Sequence, residues 1–215
     1  MSPCRLLPLL AALLTLAAPK TTPAPKPGKL PAPEIRGIDY AAASRLLAKA
    51  QPIADHPDKA TDAHLARAAR DLARANELEP DLDLQPWFHA DLGTVLYARA
   101  KAKRGPERTY LLERADVQFH LAALTHNIGI YGARASDVID FRAAGRATVS
   151  FILYHVGLLE YELGRPSNAV IPLHLLLAAA ADHKLERPEY VEKARTLLPA
   201  VERAEEKQRQ RPLPR

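Results

Sequence analysis

Cysteine occurs once in this chain, at Cys4, and glycine only nine times in 215 residues. One thiol cannot close an intrachain disulfide or build a thiolate metal site. With so few glycines there is no phosphate-cradling loop, dinucleotide fingerprint or nucleophile elbow, and no HExxH metal motif is present. Aromatic residues make up 6% of the chain, with a single tryptophan, and no convincing stretch alternates apolar and polar residues at strand period. An all-β fold is thereby excluded. The apolar run Leu6–Ala18 has thirteen residues, short of the roughly 20 that a membrane-spanning helix needs.

What is abundant is helix-forming. Alanine (39), leucine (33) and arginine (20) together supply 92 of the 215 residues, which favours helix over strand. The chain is 47% hydrophobic and 26% charged, the proportions of a soluble globular domain. Arg5, the apolar run after it, and the small residues Thr15 and Ala17 read as a secretory signal peptide over residues 1–17. Cys4 precedes the apolar run instead of following it, so a lipid anchor is not expected, and the mature chain would hold no cysteine. Residues 18–36 alternate proline with Ala, Thr and Lys, an extended spacer. Residues 37–202 form the folded body, and residues 203–215 a basic tail. Arginine outnumbers lysine 20 to 10, the coding bias of a GC-rich bacterium. These features place the protein in the periplasm or secreted, with no stable membrane insertion of the mature chain.

The net charge of +5 invites a nucleic-acid reading until the charge is located. Arg5 carries one unit, residues 19–36 a net three and residues 203–215 a net three, which leaves −2 over residues 37–202. A slightly acidic body offers no phosphate-binding face, and no nucleic-acid partner is expected.

Within the body, helical periodicity predicts segments near 38–52, 60–78, 86–103, 107–126, 136–163, 166–182 and 187–208. Asp58 with Thr61, Pro86, Pro106 with Glu107, Ser136 with Asp137, and Pro188 with Glu189 supply start signals. Seven helices suggest three antiparallel pairs and a cap. The pairs share a pattern. One helix reads Ala68-x3-Leu72-x2-Ala75-Asn-Glu-Leu78-Glu-Pro80; another region reads Gly157-x3-Tyr161-x2-Gly164-x4-Ala169-x3-Leu173; a looser match joins Leu92-Gly93-x3-Tyr97 to Ala115-x3-Phe119-x2-Ala122. Small residues let two helices approach, and the larger residue one turn on fills the space beside them.

This pattern resembles the tetratricopeptide repeat over about residues 38–182. The resemblance implies an all-α fold: antiparallel helix pairs stacked as a short superhelix with a C-terminal capping helix. The chain departs from the 34-residue period. Ala68 to Ala115 is 47 residues, Ala115 to Ala169 is 54, and the Gly93–Ala115 interval is ten residues longer than Gly157–Ala169. Residues 127–135 are a further insertion. Counting back from Ala68 places the expected leading helix of the first unit in the loop Asp55-His56-Pro57.

The resemblance implies that the leading helix of each pair lines a concave groove. That nominates Trp87, Ala90, Thr94 and Tyr97, then Phe151, Tyr154, Leu158, Tyr161 and Glu162, as partner-binding residues. An aromatic-lined groove suits an extended peptide or a partner helix; the same aromatics could equally fill the space between pairs. The Lys and Asn set with which some members clamp a C-terminal carboxylate is missing at these positions. His120, His126, His155 and His174 would converge if the fourth to sixth helices pack together, yet none pair at helical ligand spacing, and no metal or cofactor is expected. The implied function is a non-enzymatic scaffold or assembly factor that binds a protein partner in the bacterial cell envelope. The alternative is a peptidoglycan-associated enzyme or regulatory subunit, for which Glu160 or Glu162 would be the candidate acid.

Overall fold

The computed structural model describes residues 38–126, 128, 148–182, 185 and 187–211. The expected signal peptide, the proline-rich spacer, the Ser136-Asp137 helix start and the last four residues of the tail lie outside them. The described part is all-α, with seven helices and no strand among the described residues: α1 (Tyr40–Asp55), α2 (Asp62–Leu78), α3 (Pro86–Lys101), α4 (Gly105–Thr125), α5 (Val149–Glu162), α6 (Pro166–Asp182) and α7 (Pro188–Arg209). None of them is long and apolar enough to cross a membrane.

Local chemistry sets the ends of these helices. Asp39 accepts a hydrogen bond from the Ala42 amide at 2.9 Å, and Thr61 one from His64 at 3.3 Å, each side chain satisfying an amide that has no partner within its helix. Proline opens α3, α6 and α7, where its missing N–H removes no helical bond. At the end of α5, Gly164 adopts φ +76°. Its amide bonds the Tyr161 carbonyl and the Arg165 amide the Glu160 carbonyl, the glycine-dependent stop that turns the chain back into α6.

Two expected boundaries shift. The first helix runs through Pro52 to Asp55, three residues past the expected end; Ala54 is buried there, so tertiary packing outweighs the lost backbone bond. The helix expected over 136–163 is not continuous through Thr148, and α5 starts at Val149. Thr148 is extended (φ −77°, ψ 152°) and accepts from the Phe151 amide as its N-cap.

The helices pack as consecutive pairs, α1 with α2, α3 with α4, and α5 with α6, and α7 covers α6 and α5. Between pairs, α2 packs on α3 and α4 on α5, and α1 also touches α3. The small residues of the sequence pattern sit at the closest approaches. A Cβ on Gly93 would lie 2.8 Å from the Phe119 ring, and one on Gly157 would lie 2.6 Å from Leu173 Cγ. The same construction therefore recurs in two pairs: glycine on the leading helix, and a large residue four positions after a buried alanine on the second. Ala68, Leu72, Ala75, Ala115, Phe119, Ala122, Ala169 and Leu173 are all fully buried.

The ten additional residues between Gly93 and Ala115 are wholly helical. Gly93 lies eight residues before the end of α3 and Gly157 five before the end of α5, while α4 begins ten residues before Ala115 and α6 three before Ala169. The connection is three residues in both pairs. The second pair is thus a longer hairpin of the same design.

Candidate functional site: an aromatic cavity on the leading helices

A cavity of about 540 Å³ is lined by α1, α3, α5 and α7, the three leading helices and the cap. Its floor is His155, 8% exposed and surrounded by rings. Phe119 stacks on the imidazole at 4.8 Å with 8° between planes, Phe151 lies at 4.3 Å, Tyr154 at 5.2 Å and Tyr190 at 5.5 Å, and Tyr97 meets it edge-on at 6.2 Å. His155 Nδ1 is 2.8 Å from the Phe151 carbonyl one turn earlier. It must donate there, which leaves Nε2 as the acceptor. Burial, together with the like charge of Lys193, Lys101 and Arg187, pushes the imidazole pKa down to about 3. The ring is neutral at physiological pH.

Three cations rim the cavity, each over an aromatic face. Lys101 Nζ is 4.4 Å from the centroid of Tyr97, Lys193 Nζ is 4.5 Å from Tyr190 and 5.9 Å from Tyr154, and the Arg187 guanidinium is 4.7 Å from Tyr190 and 5.1 Å from Phe151. Arg187 holds a left-handed backbone (φ +60°) directly before Pro188, a conformation that costs a non-glycine residue about 1–2 kcal/mol. Its Nε donates to Glu189 and its Nη2 to the Tyr190 hydroxyl. These bonds hold the guanidinium over the rings. The α1 end of the cavity is acidic: Asp91 accepts from Gln51 at 2.9 Å, and Asp55 lines the same wall.

Of the residues nominated from sequence, Thr94, Tyr97, Phe151, Tyr154 and Leu158 line this cavity together. Trp87 is half-buried against the core with its ring edge-on to Phe88, and Ala90 is buried; neither lines the cavity. Tyr161 is half-buried against the core. Glu162 accepts from the Tyr97 hydroxyl at 2.7 Å and from Arg108 at 2.6 Å, joining α3, α4 and α5 behind the cavity. Burial, then the bond to Glu162 and its negative charge, raise the Tyr97 phenol above its usual range. Arg108 reaches Glu162 from the lengthened first turns of α4. Sequence reasoning missed Arg187, Tyr190 and Lys193, because the capping helix carried no groove motif, and Lys101, which lies one turn beyond the Tyr97 that ended the motif on α3.

A second cluster lies away from the cavity. Asp116 and His120, one turn apart on α4, meet Glu160 of α5 with their ligand atoms within 4.8 Å of one another. Of the histidines nominated from sequence, His120 belongs to it, whereas His155 floors the cavity and His174 pairs with Glu202 at 3.2 Å on the surface. The two carboxylates are buried, and Arg165 Nη1 sits 3.5 Å from Glu160 and 3.6 Å from Asp116. The guanidinium already supplies the positive charge that the pair requires, so a metal ion would have to displace it. Burial lowers the His120 pKa, but the Asp116 carboxylate and carbonyl, with Glu160, outweigh it and the net shift is upward. Burial and then Asp116 raise the pKa of Glu160, against Arg165, His120 and Asn168.

Fold and cavity together define an all-α protein of stacked helix pairs with an aromatic, basic-rimmed groove. The chain matches no family model, no curated protein and no solved structure.

Proposed function

We propose that this protein is an exported bacterial scaffold or assembly factor, built from three divergent tetratricopeptide-like units, that holds a partner protein's peptide or helix in its concave groove in the periplasm. One observation carries the reading: a 540 Å³ cavity walled by Thr94, Tyr97, Phe151, Tyr154 and Leu158 from successive leading helices. The recurrence of the glycine-to-large-residue approach at Gly93 and Gly157 supports the repeat assignment. The volume lies in the range of real ligand sites, and the aromatic walls supply rigid, amphipathic area of the kind that anchors peptides.

Crosslinking and pull-down from the envelope fraction of the native host test this. The wild-type mature chain is compared with Tyr154→Ala, which opens the wall, and with Thr94→Arg, which fills the cavity from a half-buried position. Partners lost from both variants, with helicity unchanged, support the groove; partners retained by both overturn it. Mass spectrometry of the exported chain tests export. A product beginning at Ala18 is expected, and an uncleaved chain contradicts the leader assignment.

A further inference from the structure

We infer that the groove's occupant is a short extended peptide segment bearing two or more side-chain carboxylates. It would lie across His155, with its acidic residues between Lys101 on one wall and the Arg187–Lys193 pair on the other. The inference rests on the groove reading above and adds the chemistry of the ligand.

The sign of charge follows from which partners the rim cations have. Lys101 and Lys193 are exposed and lie over aromatic faces. Among the described residues, no carboxylate comes within ion-pair distance of either. Among the described residues, the carboxylate paired with Arg187 is that of Glu189. A cationic ligand seeking the aromatic faces would find them already covered by lysine and arginine, and would meet like charge there. An anion meets three converging cations above a low-dielectric aromatic floor, where the field is least screened. Lys101 stands on α3, and Arg187 and Lys193 at the N-cap and first turns of α7, so a segment with more than one carboxylate engages both walls at once.

The extended form follows from the floor and from the length of the wall. With Nδ1–H committed to the Phe151 carbonyl, His155 offers an acceptor, matched to a backbone N–H of an extended segment, since a helix has spent its own amides internally. Asp91 and Lys101 are ten residues apart on α3, about 15 Å at 1.5 Å per residue. That distance is about five residues of extended chain.

Fluorescence anisotropy with three dye-labelled peptides of alternating composition, Glu/Tyr, Gln/Tyr and Lys/Tyr, tests the inference on the mature chain. The Glu/Tyr peptide is expected to bind best, to weaken as salt is raised, and to lose about tenfold in affinity in the double variant Lys101→Gln, Lys193→Gln, the scale of two rim charge pairs. The reversed variant, Lys101→Glu with Lys193→Glu, is expected to prefer Lys/Tyr. Circular dichroism checks that each variant folds; both positions are exposed and their charge is not part of the core. Equal binding of Gln/Tyr and Glu/Tyr, lost in Tyr154→Ala, leaves the groove standing and overturns the acidic ligand. Absence of binding by all three peptides, or binding untouched by both Tyr154→Ala and the lysine variants, overturns the inference and the groove together.

Discussion

Acidification should destabilise this protein through one buried ring. His155 is enclosed by Phe119 of α4, Phe151 and Tyr154 of its own helix, Tyr97 and Lys101 of α3, and Arg187, Tyr190 and Lys193 of α7. Every charged group named among them is a cation. The folded pKa is depressed to about 3 from an ordinary 6.5. Between these values the unfolded chain binds a proton that the folded chain refuses. The stabilisation is therefore complete above pH 6.5 and is lost as pH falls toward 3. At about 1.4 kcal/mol per pH unit the loss is roughly 2 kcal/mol by pH 5 and roughly 4–5 kcal/mol by pH 3, a large share of a typical domain's 5–15 kcal/mol. His120 and Glu160 act in the opposite sense, since both folded values are raised: their contributions are greatest at low pH and fall as pH rises. The comparison is therefore made against His155→Phe, which keeps a ring against Phe119 and removes the titrating nitrogen, along with a bond to the Phe151 carbonyl whose loss is the same at both pH values. Urea unfolding at about pH 7 and about pH 5 should show wild type losing roughly 2 kcal/mol more than the variant. Parallel losses in the two proteins would refute the assignment of His155 as a buried neutral imidazole.

Three further outcomes follow from the packing. Gly157→Ala should lower stability by about 1–3 kcal/mol despite alanine's higher helix propensity, because the new methyl meets Leu173 Cγ at 2.6 Å and the Ala169 carbonyl at 3.3 Å; an unchanged thermal midpoint would contradict the close approach. Glu162→Gln should cost about 1 kcal/mol or less, since Arg108 is partly exposed, and should shift the Tyr97 phenol back toward its usual range, read by ultraviolet titration of the tyrosines. Arg165→Ala leaves Asp116 and Glu160 facing each other without their shared cation. It should destabilise at neutral pH by roughly 1–3 kcal/mol and recover as Glu160, already raised by burial and Asp116, takes up a proton on acidification; a deficit equal at pH 7 and pH 5 would show that the three groups are not coupled.

Much of the fold was legible because its determinants are local. Caps and prolines at Thr61, Pro86 and Pro188 placed helix starts correctly, and the glycine at position 164 marked its turn. Small residues at helical spacing marked the close approaches, since a missing Cβ has the same meaning in any helix. The groove was only partly legible. Trp87 and Tyr161 share the aromatic character of Tyr97 and Tyr154, and periodicity alone could not tell a ring that faces the cavity from one that packs on the core. The break at Thr148 within the expected 136–163 helix was not legible, because the cap that starts α5 there is a single hydroxyl.

The sequence by itself determined an all-α body, its helix order, and the contacts within each pair, because these depend on residues within one or two turns of a hairpin. Only the tertiary structure decided which side chains share the cavity. Lys101 of α3, and Arg187, Tyr190 and Lys193 at the start of α7, come to His155 from helices far apart in the sequence. Their meeting depends on how the pairs stack, and on a second pair whose ten extra residues lengthen its helices and leave its turn unchanged. Stacking is a sum of many weak apolar contacts between distant segments, and no short motif encodes it.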